Sequence, residues 1–413
     1  VTSHPTTDQA YATMLDDTVG LGGTRDRFLV PPGVVYLDGN SLGALPRGVP
    51  DRINDAIARE WGAGLIGSWI EADWAGLAQR VGAKLAPLLG TAPDDLHVGD
   101  GTSVSLYKAL VAGCRLRPDR SVVVLDPSTF PTDAYVAEGV ANTLGLRLRW
   151  ADLGQPASSV DEDVAMVLIN HVDFRTGAML DIGSVTEAIH DAGAVVLWDV
   201  CHSVGTVPLT LAVDDVDFAV GCTYKYLNGG PGSPAFIYVA PRHQQKIAPP
   251  IPGWWGHARP FAMELAHAPA HGAARMASGT PPVLGLTVLD AALDVFADVD
   301  LPQLRTRSLS LTNYFIELVD RLVGDVVEVI TPRLEHHRGS QVSLRHPAAY
   351  GVIQALIRRG VIGDFRAPDV ARFGFAPLYV THRDVLRAAG HLAAVVDSAE
   401  FAHPDHATRS HVT

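Results

Sequence analysis

The stretch FAVGCTYKYLNGGPGSPAFIYV, residues 218–239, decides how this 413-residue chain folds. It opens on a short apolar run, Phe218–Gly221, passes through a lysine into a Gly/Pro-rich turn, and closes on a second apolar run, Ala235–Val239. A run that is apolar at every position reads as a strand buried on both faces. Upstream, Ser121–Leu125, Ala165–Asn170 and Ala194–Trp198 have the same character, with helical periodicity between them at roughly 103–115, 133–144 and 183–192. Strands separated by helices imply an α/β fold: a mostly parallel sheet covered on both faces.

Working outward, a strand-like run at Val34–Leu37 leads into the Gly-rich turn Asp38-Gly39-Asn40-Ser41-Leu42-Gly43. Residues 47–90 show helical periodicity with Trp61, Trp69 and Trp74, ending near Gly90. A Pro/Gly/Trp-rich stretch, 247–257, breaks the alternation, and SGTPP (278–282) precedes helical segments at 283–296 and 302–323. The last 90 residues alternate weak strands, Val327–Ile330 and Gln341–Leu344, with helices near 349–359 and 382–398, a pattern for a smaller α+β domain. The expected division is a polar N-terminal arm and turn (1–45), a large α/β domain (46–285) and a small C-terminal domain (286–413).

Composition narrows the function classes. The formal charge of −13 opposes a nucleic-acid partner, which needs clustered Lys and Arg. No apolar run reaches the roughly 20 residues of a membrane helix, and the first residues lack a signal peptide's basic cap and apolar core. Three cysteines, Cys114, Cys201 and Cys222, have no metal-ligand spacing and suit a reducing cytoplasm, so no metal site is expected. Among 32 basic residues only four are lysines: Lys84, Lys108, Lys225 and Lys246. Where arginine serves for surface charge, a lysine inside an apolar stretch has fewer ordinary explanations.

Lys225 lies just past a buried strand, where partial desolvation makes an amine nucleophilic; the plainer reading is an amine that snorkels to water. Asp199 ends the apolar strand VVLWD, with His202 close behind. Ligands of open α/β sheets bind outside the carboxyl ends of the strands, so Asp199 and Lys225 point to one crevice. Alone, Asp199 reads as a cap; together the two suit pyridoxal phosphate, an imine-forming cofactor whose ring nitrogen needs a carboxylate. Gly99-Asp100-Gly101-Thr102-Ser103, before a helix, suits a phosphate or a simple serine cap. Phe130 offers a ring face for stacking, or a core side chain.

With these residues assembled, the chain resembles the kynureninases, pyridoxal-phosphate enzymes of fold type I that act in tryptophan catabolism and NAD biosynthesis. The resemblance runs from about Tyr36 to Val385 and rests on YLDGNSLG (36–43), FPTD (130–133), Asp199 with His202, VDFAVGCTYKYLNGGPGSPAF (216–236), GWWGH (253–257), SGTPP (278–282) and RFGFAPLY (372–379). It implies a transferase-like seven-stranded sheet and a cytoplasmic homodimer with active sites at the interface. It also implies hydrolytic Cβ–Cγ cleavage of L-kynurenine to anthranilate and L-alanine. Under it, Lys225 carries the imine, Asp199 pairs with the ring nitrogen and Tyr224 acts as an acid. Thr102, Ser103, Tyr224 and Trp254 surround the phosphate, Thr280 reaches it from a second subunit, and Phe130 stacks on the ring. Asp133, Asn170 and His202 edge the cofactor, Arg372 grips the substrate carboxylate with its bidentate fork, and Asn40, Ser41 and Trp69 lie near the substrate.

One segment departs from the pattern. Leu65-Ile66-Gly67-Ser68-Trp69-Ile70 has Gly67 and Ile70 where many bacterial kynureninases carry Arg and Asn. That is either neutral drift or a pocket for a ring-substituted substrate such as 3-hydroxykynurenine. A cysteine desulfurase needs a nucleophilic cysteine well after the lysine, and none follows Cys222. A fold-type I aminotransferase and a non-catalytic binding relative are the remaining alternatives.

Overall fold

A computed structural model of the chain describes residues 5–404. The ends of the first and last expected domains, residues 1–4 and 405–413, lie outside the described residues.

The order of elements begins with α1 (Pro5–Thr18), β1 (Val35–Tyr36), α2 (Val49–Asp55), α3 (Ser68–Glu71) and α4 (Leu77–Leu89). The large α/β layer contains β2 (Leu96–Val98), α5 (Thr102–Cys114), β3 (Val122–Leu125), α6 (Pro131–Leu144), β4 (Arg147–Trp150), β5 (Val164–Asn170), α7 (Ile182–Asp191), β6 (Val195–Asp199), β7 (Phe218–Gly221), β8 (Phe236–Val239) and α8 (Pro241–Gln244). Then come α9 (Val283–Leu293), α10 (Leu301–Val323), β9 (Glu328–Val329), β10 (Gln341–Arg345), α11 (Ala349–Arg358), β11 (Val361–Ile362), β12 (Asp364–Arg366), β13 (Val370–Gly374) and α12 (His382–Asp397).

Seven strands form one sheet in the order β2-β8-β7-β6-β5-β3-β4, and β8 is antiparallel to both its neighbours. The apolar runs of the sequence are its centre. Both faces of β6 are wholly buried, because helices cover the sheet on each side. Two strands of this sheet escaped the sequence reading. β2 has only three residues, and β4 is an edge strand, Arg-Leu-Arg-Trp, whose alternation with arginine hides it and also discourages pairing with another chain. The helical stretch 47–90 is real but broken. A π-helical turn, Ala56–Ala63, and left-handed backbone at Leu65 and Asp73 interrupt it before α4 ends at Gly90. Gly90 has φ 62°, and a Cβ there would fall 2.4 Å from the Leu209 carbonyl oxygen.

The C-terminal part is a four-stranded antiparallel sheet, β12-β13-β10-β9, backed by α10 and α11, with α12 packed on both helices. The expected polar arm is largely a helix. α1 packs on α12, and its Asp16 accepts hydrogen bonds from the His382 backbone N–H (2.8 Å) and ring Nδ1 (2.9 Å). The two ends of the chain meet again where β1 pairs in parallel with β11, Val35 opposite Val361. The Gly374 N–H then donates to the Leu37 carbonyl at 2.7 Å, which ties the Gly-rich turn to β13, and the Gly43 N–H donates to the Tyr224 carbonyl at 2.8 Å, which ties it to the loop after β7 of the large sheet.

Candidate active site

The carboxyl ends of β5, β6 and β7 align: Asn170 lies opposite Asp199, and Asp199 opposite Val220. Outside them is a cavity of about 290 Å³ lined in part by Thr102, Ser103, Phe130, Asp133, Asn170 and Asp199. His202, Tyr224 and Lys225 line it too, so nine of the fifteen expected residues share one space.

Asn170 organises one wall. Its Oδ1 accepts from the Thr129 hydroxyl (2.7 Å) and the Phe130 N–H (3.2 Å), while its Nδ2 donates to Asp133 at 2.8 Å. Asp133 and Asp199 then face each other as a buried carboxyl pair. Burial, and next the Asp199 charge, push Asp133 well above the usual carboxylate range, so it keeps a proton. Asp199 also accepts from the Cys201 N–H at 2.7 Å, which fixes its angle.

Lys225 is held from the opposite sequence direction. Burial, then the Lys225 charge, drive His202 well below its normal range, leaving a neutral ring. The Lys225 amine therefore donates to His202 Nε2 at 2.8 Å. The loop carrying Lys225 is pinned by Thr223, whose hydroxyl meets the Ser233 hydroxyl and the Pro234 carbonyl, each at 2.7 Å. Gly43 comes against this loop so closely that a Cβ would fall 2.2 Å from the Lys225 carbonyl oxygen. Tyr224 is kept protonated, chiefly by burial and then by the neighbouring Cys222 and Cys201 thiols.

Opposite the amine lies the start of α5. Gly101 provides no side-chain cap, so the first N–H groups of the helix, at Thr102 and Ser103, have no intrahelical partner. Such an end suits an anion.

Arg372 lies beside this cavity with both arms of its fork engaged within the chain. Nε donates to Asp364 Oδ1 at 2.7 Å and Nη2 to Oδ2, because the β12–β13 hairpin sets Asp364 directly opposite Arg372. Nη2 also meets the Ser41 hydroxyl at 3.2 Å, and Nη1 donates to the Phe174 carbonyl. Of five guanidinium hydrogens, one on Nη1 is left. The ring of Phe174 packs edge-on to Phe130 at 5.2 Å, linking the two regions. Asn40 donates to Gln341 Oε1 at 3.2 Å. Asp364, Phe174 and Gln341 escaped the sequence reading; the Asp-Phe-Arg run eight residues before Arg372, with a Pro turn between, was the available signal for Asp364.

Trp69, Trp254 and Thr280 do not line the cavity of this chain. Trp69 and Trp254 belong instead to an aromatic cluster at the surface, joined through Trp255 at 5.2 and 4.9 Å.

Residues 304–392 match the family model described as the kynureninase C-terminal domain. A kynureninase of Deinococcus radiodurans is 49% identical over 403 residues, covering 96% of this chain and 98% of that protein. The chain belongs to the kynureninase family. A kynureninase of Burkholderia mallei is 46% identical, covering 99% of this chain and all of its own length. Solved structures show the same fold at much lower identity. A C-DES mutant with glycine covalently linked to its PLP cofactor superposes at TM-score 0.79 and 17% identity, over 89% of this chain and 98% of that one. A cysteine desulfurase of Thermococcus onnurineus gives 0.78 and 17%, over 92% and 98%. This kynureninase-family chain therefore has the fold-type I architecture, whatever the reaction of its distant neighbours.

Proposed function

We propose that this chain hydrolyses the Cβ–Cγ bond of L-kynurenine or a ring-substituted kynurenine, releasing L-alanine and an anthranilate, with pyridoxal phosphate held at Lys225. The observation that carries this is the sharing of one cavity by an amine, a buried carboxyl pair and an open helix N-terminus. Asp133, protonated, backs Asp199, which leaves the Asp199 carboxylate to pair with a protonated ring nitrogen. The residues present thus fit the cofactor.

When bound, pyridoxal phosphate supplies a sink for the electrons of bonds broken at the amino acid. The work of the chain's own residues follows from their chemistry. Thr102 and Ser103 bind the phosphate with backbone N–H and hydroxyl groups, and Phe130 packs on the ring. Asp199, backed by Asp133, keeps the ring nitrogen protonated. Lys225 would hold the cofactor through its amine, and the same amine is placed to take a proton from the substrate's α-carbon. His202 is neutral and holds that amine without competing for the proton. Tyr224, protonated at neutral pH, gives the proton that Cβ takes up after the C–C bond breaks. Arg372 offers the substrate carboxylate its remaining Nη1 hydrogen, with Asn40 and Ser41 beside it.

The protein acts as a homodimer in this reading. Ile66, Ile70, Phe261, Met263 and Leu265 stand exposed around the Trp69–Trp255 cluster, an apolar surface suited to a second copy. That copy would bring Trp254 and Thr280 to the phosphate and the 65–70 segment to the substrate ring. Among the described residues no helix is long and apolar enough to cross a membrane, and the three buried free thiols fit a cytoplasmic enzyme.

The test is alanine release from L-kynurenine, 3-hydroxy-L-kynurenine and a ring-methylated analogue by the cofactor-loaded protein. Release from any one supports the reading, and the preferred ring assigns the 65–70 segment to drift or to specificity. Alanine from none, with turnover that depends on an added keto acid, would make the protein an aminotransferase.

A further inference from the structure

Lys108, like Lys225, is a lysine within the fold rather than on it, and the reaction does not use it. It lies mid-helix in α5 at 1% exposure. A buried ammonium is costly unless paired, and this one is paired twice. Its Nζ lies 2.5 Å from Asp100 Oδ2 and 2.7 Å from the Met276 carbonyl oxygen.

Asp100 stands next to the phosphate end of the cavity, and Met276 leads into the segment that the proposed dimer would present to the partner's phosphate. Asp100 stands in left-handed backbone, φ 53°, in the turn that opens α5 two residues before Thr102. The other side of that turn is tied to the chain just before β8: the Ala235 N–H donates to the Asp100 carbonyl at 3.0 Å, and the Gly99 N–H to the Ala235 carbonyl at 2.9 Å. Met276 closes the short 3-10 turn Gly272–Met276, ahead of Ser278 and Thr280. Ser278 in turn accepts from the Trp255 N–H at 3.2 Å and donates its hydroxyl to the Ile251 carbonyl at 2.9 Å. One amine thus joins the three stretches that hold Thr102 with Ser103, Trp254 and Thr280.

The pairing has an electrostatic side. A carboxylate two residues from the phosphate-binding N–H groups repels a phosphate dianion, and the side chain of Asp100 is 31% exposed there. Lys108 cancels that charge. The nearby His97 is neutral, its pKa pushed down to about 4 by burial and then by Lys108, so it offers Asp100 no rival cation.

We propose that Lys108 is a positioning residue for the cofactor's phosphate: it fixes the Asp100 turn against the 276–280 segment and neutralises the carboxylate that would otherwise oppose the phosphate. The proposal rests on the reading of the cavity as a pyridoxal-phosphate site. It is tested by titrating cofactor-free protein with pyridoxal phosphate and with pyridoxal, following the absorbance of the imine with Lys225, and taking the affinity ratio as the phosphate's contribution. In Lys108→Met the ratio should fall about tenfold or more, the loss of a charge-assisted contact. In Asp100→Asn it should rise, because the amine is then uncompensated. Should Lys108→Met fail to fold, Asp100→Asn decides by itself. A ratio unchanged in both variants, or moving the same way in both, overturns the proposal. A wild-type protein that gains no imine absorbance with either compound overturns the function reading, and the proposal with it.

Discussion

Lys225 and His202 are coupled by one hydrogen bond, and their roles separate on mutation. Lys225→Ala is expected to abolish turnover and remove the imine absorbance, whereas His202→Phe keeps the imine and loses rate; retained turnover in Lys225→Ala would remove the amine from the mechanism. Asp133 makes a stability prediction. Its folded pKa is raised, so the cofactor-free protein binds that proton more tightly than the unfolded chain and loses stability as pH climbs above the ordinary carboxylate range. Asp133→Asn should therefore raise the melting temperature of the cofactor-free protein at pH 8 by a few degrees while weakening cofactor binding; an unchanged or lower value refutes the buried-charge account. Arg372→Lys cannot keep the fork on Asp364. It should raise KM about tenfold or more with a smaller change in kcat, read from steady-state kinetics. At this scale Lys225 and Asp199 stood out because chemistry restricts residue type, whereas Arg372 came only with the family resemblance. Asp364 was not legible, since its meaning comes only from the strand pairing that sets it opposite Arg372.

Elements were legible where burial is two-sided. The all-apolar β5 and β6 announce themselves, while β11, β12 and β13 are two to five residues long and carry Asp and Arg for the site. The helix α1 was hidden for a different reason. Its apolar footing is small, Ala12 and Leu15, and polar contacts add to it: Asp16 with His382 and Arg307, and Arg321 with Asp8. Burial opposes the Asp16 charge, but the His382 hydrogen bonds outweigh it and hold its pKa at about 2, below the usual 3.8. The stability from this contact is therefore complete above the unfolded value and lost as pH falls through about 2. Asp16→Ala should cost about 1–3 kcal/mol at pH 7 in urea unfolding. The same cost at pH 2 would show that the carboxylate's charge plays no part.

For the whole molecule, the sheet and its cavity follow from the order of strands, but the proposed second subunit leaves no periodic signal in one chain. The exposed apolar side chains around Trp254 and Trp255 become visible only after folding. Phe261→Glu together with Leu265→Glu should shift the protein from dimer to monomer in analytical ultracentrifugation and lower pyridoxal phosphate affinity. A wild type that sediments as a monomer with full activity would exclude the shared site.

The parallel pairing of Val35 with Val361, and the tie between Leu37 and Gly374, have a consequence for biosynthesis. A ribosome exposes every residue of the cofactor-facing cavity, through Lys225, while more than a hundred codons remain before the strands that anchor the Gly-rich turn. The corner proposed for the amino acid is thus completed late, from segments more than three hundred residues apart. A nascent or clipped chain that stops short of Arg372 lacks the corner proposed to meet the substrate carboxylate, in which Arg372 contacts Ser41.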